Sequence, residues 1–164
     1  MNVHRRRRIA PVGGRFLSVP RVTMDSMELT GRDFDRIPRG NVRVPVVEFA
    51  SLWLTAERAL DADPKNWAYF GVAQTCRWLA CATVRRVNQK PRLADAPVTR
   101  RFGLAHEETI EAETLAAERL LWRRPVPQYL ESRPGWLDSV VATLEWAWRR
   151  SGVPPLDVPA HSQS

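Results

Sequence analysis

Residues 67–84, WAYFGVAQTCRWLACATV, decide the fold class of this chain. Their large apolar side chains point in every direction of a helical projection, so a helix here has no polar face. A helix that is apolar on all sides lies in the middle of a group of helices. Arg77 and Gln74 argue against a membrane span, because an arginine at the centre of a bilayer costs about 2.5–3.5 kcal/mol. We therefore predict a buried central helix from Pro64 to about Arg86.

The segment before the central helix, 46–60, predicts a helix with one apolar face. Pro45 suits the position where this helix begins, since proline has no N–H to leave unpaired there. Asp63 is a good N-cap and Pro64 a good first residue for the central helix that follows. The apolar residues of the first helix recur at helical spacing and form one stripe: Phe49, Leu52, Trp53, Ala56 and Leu60.

Two more helices are predicted after the central one, over about 105–124 and 134–152, and the proline-containing segment between them breaks the helical pattern. No strand pattern is evident after residue 44. The predicted fold class is therefore all-α, a four-helix bundle-like single domain over 44–151. We expect a largely irregular basic arm over 1–43, with an ordered lead-in near 30–43, and a flexible proline-rich tail over 152–164.

Positive charge is concentrated at the start of the chain. The net charge is +7, and residues 1–23 hold six arginines and no acid, so the rest carries 19 basic residues against 18 acidic ones. An arm of this kind is attracted to nucleic acid, anionic lipid or an acidic protein, or it is simply a solvated tail. Residues Arg5, Arg6, Arg7 and Arg8 are the candidates for nucleic-acid contact.

A second basic region lies in the predicted loop 88–103. Arg92, Arg100 and Arg101 are close in sequence to Phe102, a combination that suits phosphate contact and base stacking. The alternative is a solvated loop without a ligand. Together with the arm, this loop supports a hypothesis of nucleic-acid binding.

The stretch 105–113, AHEETIEAE, contains the residue types of an acid–base pair or a metal site. On a helix His106 and Glu113 share one side, which would allow a hydrogen-bonded acid–base pair in a cleft. The chain has no Glu-x-x-His motif, and acids in a first turn also stabilise the helix N-terminus. We therefore interpret this stretch as a helix start, expect no metal and no cofactor, and keep an enzyme at His106 and Glu113 as a remote alternative.

Two cysteines, Cys76 and Cys81, are both expected on the central helix. Five helical residues place their Cα atoms about 8.5 Å apart, which is too far for a disulfide. We interpret both thiols as small buried hydrophobic groups in a reducing compartment.

The end of the last helix, EWAWRR over 145–150, is a candidate protein-binding site. Trp148 belongs to the apolar stripe, whereas Trp146 points the opposite way, beside Arg149 and Arg150. A large aromatic side chain among arginines on a polar face is typical of an interface anchor. The alternative is that the tail or the 88–103 loop covers Trp146.

Two stretches, DADPKNWA over 61–68 and HEETIEAETLAAE over 106–118, are similar to parts of small uncharacterised proteins of mycobacterial and other actinobacterial prophages and mobile elements. The resemblance implies a prophage or mobile-element setting, and it implies no activity. Because Pro11 and Gly13 interrupt the apolar run near the start, we expect no secretory signal. We predict a cytoplasmic, non-enzymatic accessory or regulatory protein that contacts nucleic acid, or alternatively an adaptor, antitoxin or immunity protein.

Overall fold

The fold is described from a computed structural model, which covers residues 30–159. It is mostly helical over this range, with six helices and one small two-stranded sheet, so the predicted predominance of helix is confirmed. The elements, in chain order, are α1 Gly31–Asp35, α2 Val46–Ala62, α3 Trp67–Leu79, β1 Thr83–Val84, β2 Arg92–Leu93, α4 Glu107–Trp122, α5 Gln128–Glu131 and α6 Trp136–Ala147.

Helix α2 forms where its apolar stripe predicts, and every residue of that stripe is buried. The central helix α3 begins three residues later than predicted. Its N-cap is Asn66, whose side-chain oxygen accepts a hydrogen bond from the Tyr69 N–H at 3.1 Å. Asp63 instead lies in the turn before the helix, where its carbonyl accepts a hydrogen bond from the Asn66 N–H. Both residues are good caps, and only the tertiary structure selects one.

Helix α3 also ends earlier than predicted, at Leu79 instead of about Arg86. Cys81 has a φ of +52°, a left-handed conformation that cannot continue an α-helix, and the Ala82 N–H returns to the Arg77 carbonyl at 2.9 Å. The chain then forms the antiparallel hairpin of β1 and β2. The expectation of no strands after residue 44 was wrong because strands of two residues are too short to produce an alternating pattern.

The core is arranged around α3, which packs against α2 and α6, while α4 packs against α6. Gly71 lies at a close approach between α3 and α6, because a Cβ atom at this position would be 2.6 Å from the Trp136 carbonyl oxygen. One turn along, the Trp136 indole N–H donates to the Gln74 side-chain oxygen at 2.9 Å. These contacts explain how glycine and glutamine can lie within an otherwise apolar buried helix.

The segments on either side of the helices pack against the same core. Ile37, Asn41 and Val42 are buried, so packed residues are also found upstream of the expected boundary at residue 44. Residues 152–159 form no helix or strand, yet Leu156 and Val158 are half-buried against the core. Over the described part of the chain, no helix is long and apolar enough to cross a membrane.

Candidate functional site

The hairpin of β1 and β2 presents a basic turn to solvent. Thr83 lies opposite Leu93, Val84 lies opposite Arg92, and the Ala94 N–H donates to the Ala82 carbonyl at 2.9 Å. The residues between the strands, 85–91, all have exposed side chains, and we call them the basic turn. Asn88 has a φ of +60°, which asparagine tolerates better than most residues and which lets the chain reverse.

Three cations lie in the basic turn: Arg85, Arg86 and Lys90. The sequence has no aspartate or glutamate between Asp63 and Asp95, so no acid of the hairpin neutralises them. Within residues 30–159, none of the three forms an ion pair. The turn therefore holds three positive charges close together in the sequence and exposed to solvent.

Asp95 connects the hairpin to the loop that follows it. Its carboxylate forms an ion pair with Arg92 of β2 and lies 3.7 Å from the guanidinium of Arg100. The Asp95 side chain is only 9% exposed, whereas those of Arg92 and Arg100 are 45% and 54% exposed. One acid thus holds two arginines that remain open to solvent. We call Arg85, Arg86, Lys90, Arg92 and Arg100 together the basic surface.

Glu113 fixes the loop that carries Arg100. Its carboxylate is buried at 2% exposure and accepts hydrogen bonds from the Thr99 hydroxyl at 2.6 Å, the Thr99 N–H at 3.1 Å and the Val98 N–H. Backbone donors of this kind satisfy a buried carboxylate. Glu113 therefore has a structural role in holding the loop against α4.

The acid–base pair of His106 and Glu113 is not formed. His106 is exposed and precedes α4 as its N-cap, where its N–H donates to the Thr109 hydroxyl at 2.9 Å. None of the hydrogen bonds of Glu113 involves His106. The interpretation of 105–113 as a helix start is confirmed. Residues 30–159 also contain no group of histidine, cysteine, aspartate or glutamate side chains that could hold a metal ion.

A groove of about 300 Å³ lies between the loop around residues 96–104 and the outer face of α4. Trp78, Ala96 and Ala112 contribute apolar surface to its lining, and Arg101 and Arg119 contribute cationic side chains. Arg101, which the sequence assigned to nucleic-acid contact, thus lines this groove, whereas Arg92 and Arg100 pair with Asp95.

The end of α6 differs from its expected arrangement. Trp146 is buried, with 6% of its surface exposed, so it does not project from a polar face as the helical pattern suggested. Arg149 forms ion pairs with Glu118 and with Glu111, the latter at 3.2 Å, while Arg150 is exposed. The role of Trp146, Arg149 and Arg150 in partner binding stays a prediction, and the buried indole could anchor a partner only after a rearrangement.

The indole of Trp148 joins α6 to α4 and to the lead-in. Its N–H donates to Glu111 at 2.8 Å, and the Arg43 guanidinium lies 3.9 Å from the ring centroid. The hydrogen bond from Trp148 lowers the pKa of the Glu111 carboxyl, with the Arg149 charge adding to the effect. This end of the molecule is an interhelical network whose groups already have partners.

Neither cysteine is poised for nucleophilic chemistry. Cys76 is buried on α3, and Cys81 is half-buried just beyond the helix, not on it as predicted. Burial raises the pKa of both thiols, well above the ordinary range for Cys76. Because the thiolate is the reactive form, a raised pKa disfavours attack at neutral pH.

Arg5, Arg6, Arg7 and Arg8 lie outside the described residues. Sequence reasoning missed Arg85 and Arg86, because both were placed at the end of the central helix. The turn-forming Asn88 and the nearby Pro91, inside an acid-free segment, were the signal that could have revealed the hairpin. No protein-family model, no curated protein and no solved structure matches this chain.

Proposed function

We propose that this is a non-enzymatic accessory or regulatory protein that contacts nucleic acid through the basic surface. The observation that supports this proposal is the basic turn, where Arg85, Arg86 and Lys90 are exposed and without acidic neighbours in the hairpin. Cations grouped in this way bind phosphates and release the counterions of the nucleic acid, which gives affinity without reading sequence.

The hairpin also has a shape that suits a nucleic acid. A two-stranded ribbon is narrow enough to enter the major groove of DNA, and its tip here carries the cationic side chains. Arg92 of β2 and Arg100 of the following loop add guanidinium groups that remain about half-exposed while they pair with Asp95. In this proposal Arg5, Arg6, Arg7 and Arg8 supply further phosphate contacts, as a basic arm does in many nucleic-acid-binding proteins.

A packed helical body fits this role. We take α2, α3, α4 and α6 as a bundle-like scaffold that carries the hairpin, within a single domain in the cytoplasm. The resemblance of 61–68 and 106–118 to proteins of actinobacterial prophages and mobile elements favours a setting beside nucleic acid over one in metabolism. Because a fold by itself does not specify a function, the proposal depends on the hairpin.

The proposal is tested by the affinity of the full chain for labelled 20-nucleotide single-stranded DNA, the corresponding duplex and RNA of the same sequence, at 50 mM salt. We expect binding to at least one of them, and at least a tenfold loss of affinity in the variant Arg85→Ser/Arg86→Ser/Lys90→Ser. The matched control, Arg32→Ser/Arg39→Ser/Arg58→Ser, removes three exposed cations elsewhere and should lose less than about threefold. Equal losses in both variants, or no binding by the unaltered chain, would refute the proposal.

The alternative of a protein-binding adaptor has its own supporting observation, although not at Trp146. The groove beside α4 is bordered by exposed apolar side chains, and exposed apolar surface of this kind marks interaction sites.

A further inference from the structure

The outer face of α4 and the loop before it carry several large, exposed apolar side chains. Trp122 is 77% exposed and Leu115 is 39% exposed on the helix, and the preceding loop adds Phe102 at 73% and Leu104 at 61%. Phe102, Leu104 and Leu115 line the 300 Å³ groove described above. We call this groove, together with Trp122, the α4 groove.

The helical period explains why these residues face solvent together. Ala112, Leu115, Arg119 and Trp122 follow one another at spacings of three or four residues, so they form one stripe along α4. The residues that α4 buries against α6 and the loop occupy the opposite side of the helix: Ile110, Glu113, Thr114 and Ala117. The apolar stripe is thus a second face that the described fold leaves uncovered.

The charge of the α4 groove is positive. Arg101 and Arg119 line it, and neither forms an ion pair within residues 30–159. The one carboxylate in its lining, Glu113, is buried and already accepts hydrogen bonds from Val98 and Thr99. A ligand with apolar groups and a negative charge therefore complements the two cations that line this groove, although the exposed Glu108 lies on the same side of α4.

We propose that the α4 groove binds an acidic amphipathic segment of a protein partner. Apolar side chains of the segment contact Phe102, Leu104, Leu115 and Trp122, and its carboxylates pair with Arg101 and Arg119. Groove binding of an amphipathic segment is a recurring mode of peptide recognition, with a few apolar anchors and charges that set specificity. This site is separate from the basic turn, so the inference stands independently of nucleic-acid binding.

Other occupants fit the groove less well. In a symmetric dimer the same surface meets itself, which brings two copies of the cations Arg101 and Arg119 into one interface. A nucleic acid would leave the apolar lining formed by Trp78 and Leu115 without a matching surface. A lipid bilayer presents a plane, whereas this site is a concave groove beside a helix.

The test uses a displayed library of random twelve-residue peptides, selected on the folded full chain. We expect enriched peptides that combine glutamate or aspartate with large apolar residues. The variants Arg119→Glu and Leu115→Asp should each weaken an enriched peptide at least tenfold. The matched controls are Arg58→Glu, an exposed cation on α2, and Val153→Asp, which is 77% exposed; both should retain binding within about twofold.

Several results would overturn this inference: no enriched peptides, enriched peptides that are basic, or affinities that Arg119→Glu leaves unchanged. A homodimer that Leu115→Asp dissociates would instead assign the groove to a second copy of the chain. Binding to vesicles of phosphatidylserine and phosphatidylcholine that Leu115→Asp abolishes would assign it to a membrane. Both outcomes contradict the proposal. The basic-turn variant should bind the selected peptides normally, which separates this test from that of nucleic-acid binding.

Discussion

The guanidinium of Arg77 on α3 forms two parallel hydrogen bonds with the carboxylate of Glu57 on α2, at 2.7 Å from Nε and 2.5 Å from the terminal nitrogen. The indole N–H of Trp53 donates to the same carboxylate at 2.9 Å. The side chains of Glu57 and Arg77 are only 4% and 12% exposed. The pair explains how a charge can lie in the middle of the most apolar helix, since each ion satisfies the other.

We expect Arg77→Met to lower the free energy of unfolding by about 3 kcal/mol, because it leaves the Glu57 carboxylate buried without its counter-ion. The double variant Glu57→Leu/Arg77→Met should recover part of that loss, since neither charge remains. Urea denaturation provides the measurement. Arg58→Met, an exposed neighbour on α2, is the control and should change stability by less than about 0.5 kcal/mol. A similarly small effect of Arg77→Met would show that the pair does not stabilise the fold.

Gly71→Ala should destabilise the protein by about 1–3 kcal/mol, because the new methyl group would overlap the Trp136 carbonyl oxygen on α6. A backbone atom cannot move aside as a flexible side chain can. Gly40→Ala is the matched control, since a Cβ there meets nothing within 4 Å. The melting temperatures of both variants test the close approach of α3 and α6. Equal melting temperatures would mean that the helices do not meet at Gly71.

Glu113→Leu should lower stability by about 1–3 kcal/mol, because it leaves the N–H groups of Val98 and Thr99 without their acceptor. Hydrogen exchange of these two amides should accelerate more than that of amides in α3, since the loop loses its anchor. Glu108→Leu, the same change at an exposed acid on the same helix, should leave exchange unchanged. Uniformly faster exchange along the chain would argue against a local role for Glu113.

Asp95→Asn should raise nucleic-acid affinity roughly two- to fivefold at 50 mM salt, because it removes the acid that pairs with Arg92 and Arg100 of the basic surface. This prediction has the opposite sign to that for the basic-turn variant. Asp35→Asn makes the same change of charge at an exposed position on α1 and should leave affinity nearly unchanged. A gain of equal size in both variants would indicate a general charge effect instead of a defined surface.

Sequence periodicity predicted the helices that bury one face, and its failures have physical causes. The stripe from Phe49 to Leu60 identified α2 because a polar face contrasts with an apolar one. The end of α3 was misplaced because Cys81 adopts its left-handed conformation through tertiary contacts that no local pattern records: its thiol donates to the Ala105 carbonyl at 3.6 Å. The two strands were not predicted for a different reason, because a strand of two residues is too short to show an alternating pattern.

The candidate site was predicted only in part. Arg92 and Arg100 were selected as cations of a loop, but their shared partner Asp95 and the neighbouring Arg85 and Arg86 depend on a hairpin that was not foreseen. Trp146 was assigned to a surface because its helical angle is opposite to that of Trp148. The position of a residue around its own helix does not show whether another segment of the chain covers that residue, and Trp146 is in fact buried.

The dependence of nucleic-acid affinity on salt tests the central claim most directly. For duplex DNA, each phosphate contact contributes about 0.9 to the slope of log affinity against log salt concentration. We predict that Arg85→Ser/Arg86→Ser/Lys90→Ser lowers this slope by about 2–3 relative to the unaltered chain, while the control Arg32→Ser/Arg39→Ser/Arg58→Ser keeps it. A slope that is the same for all three proteins would contradict the claim that the basic turn contacts phosphates.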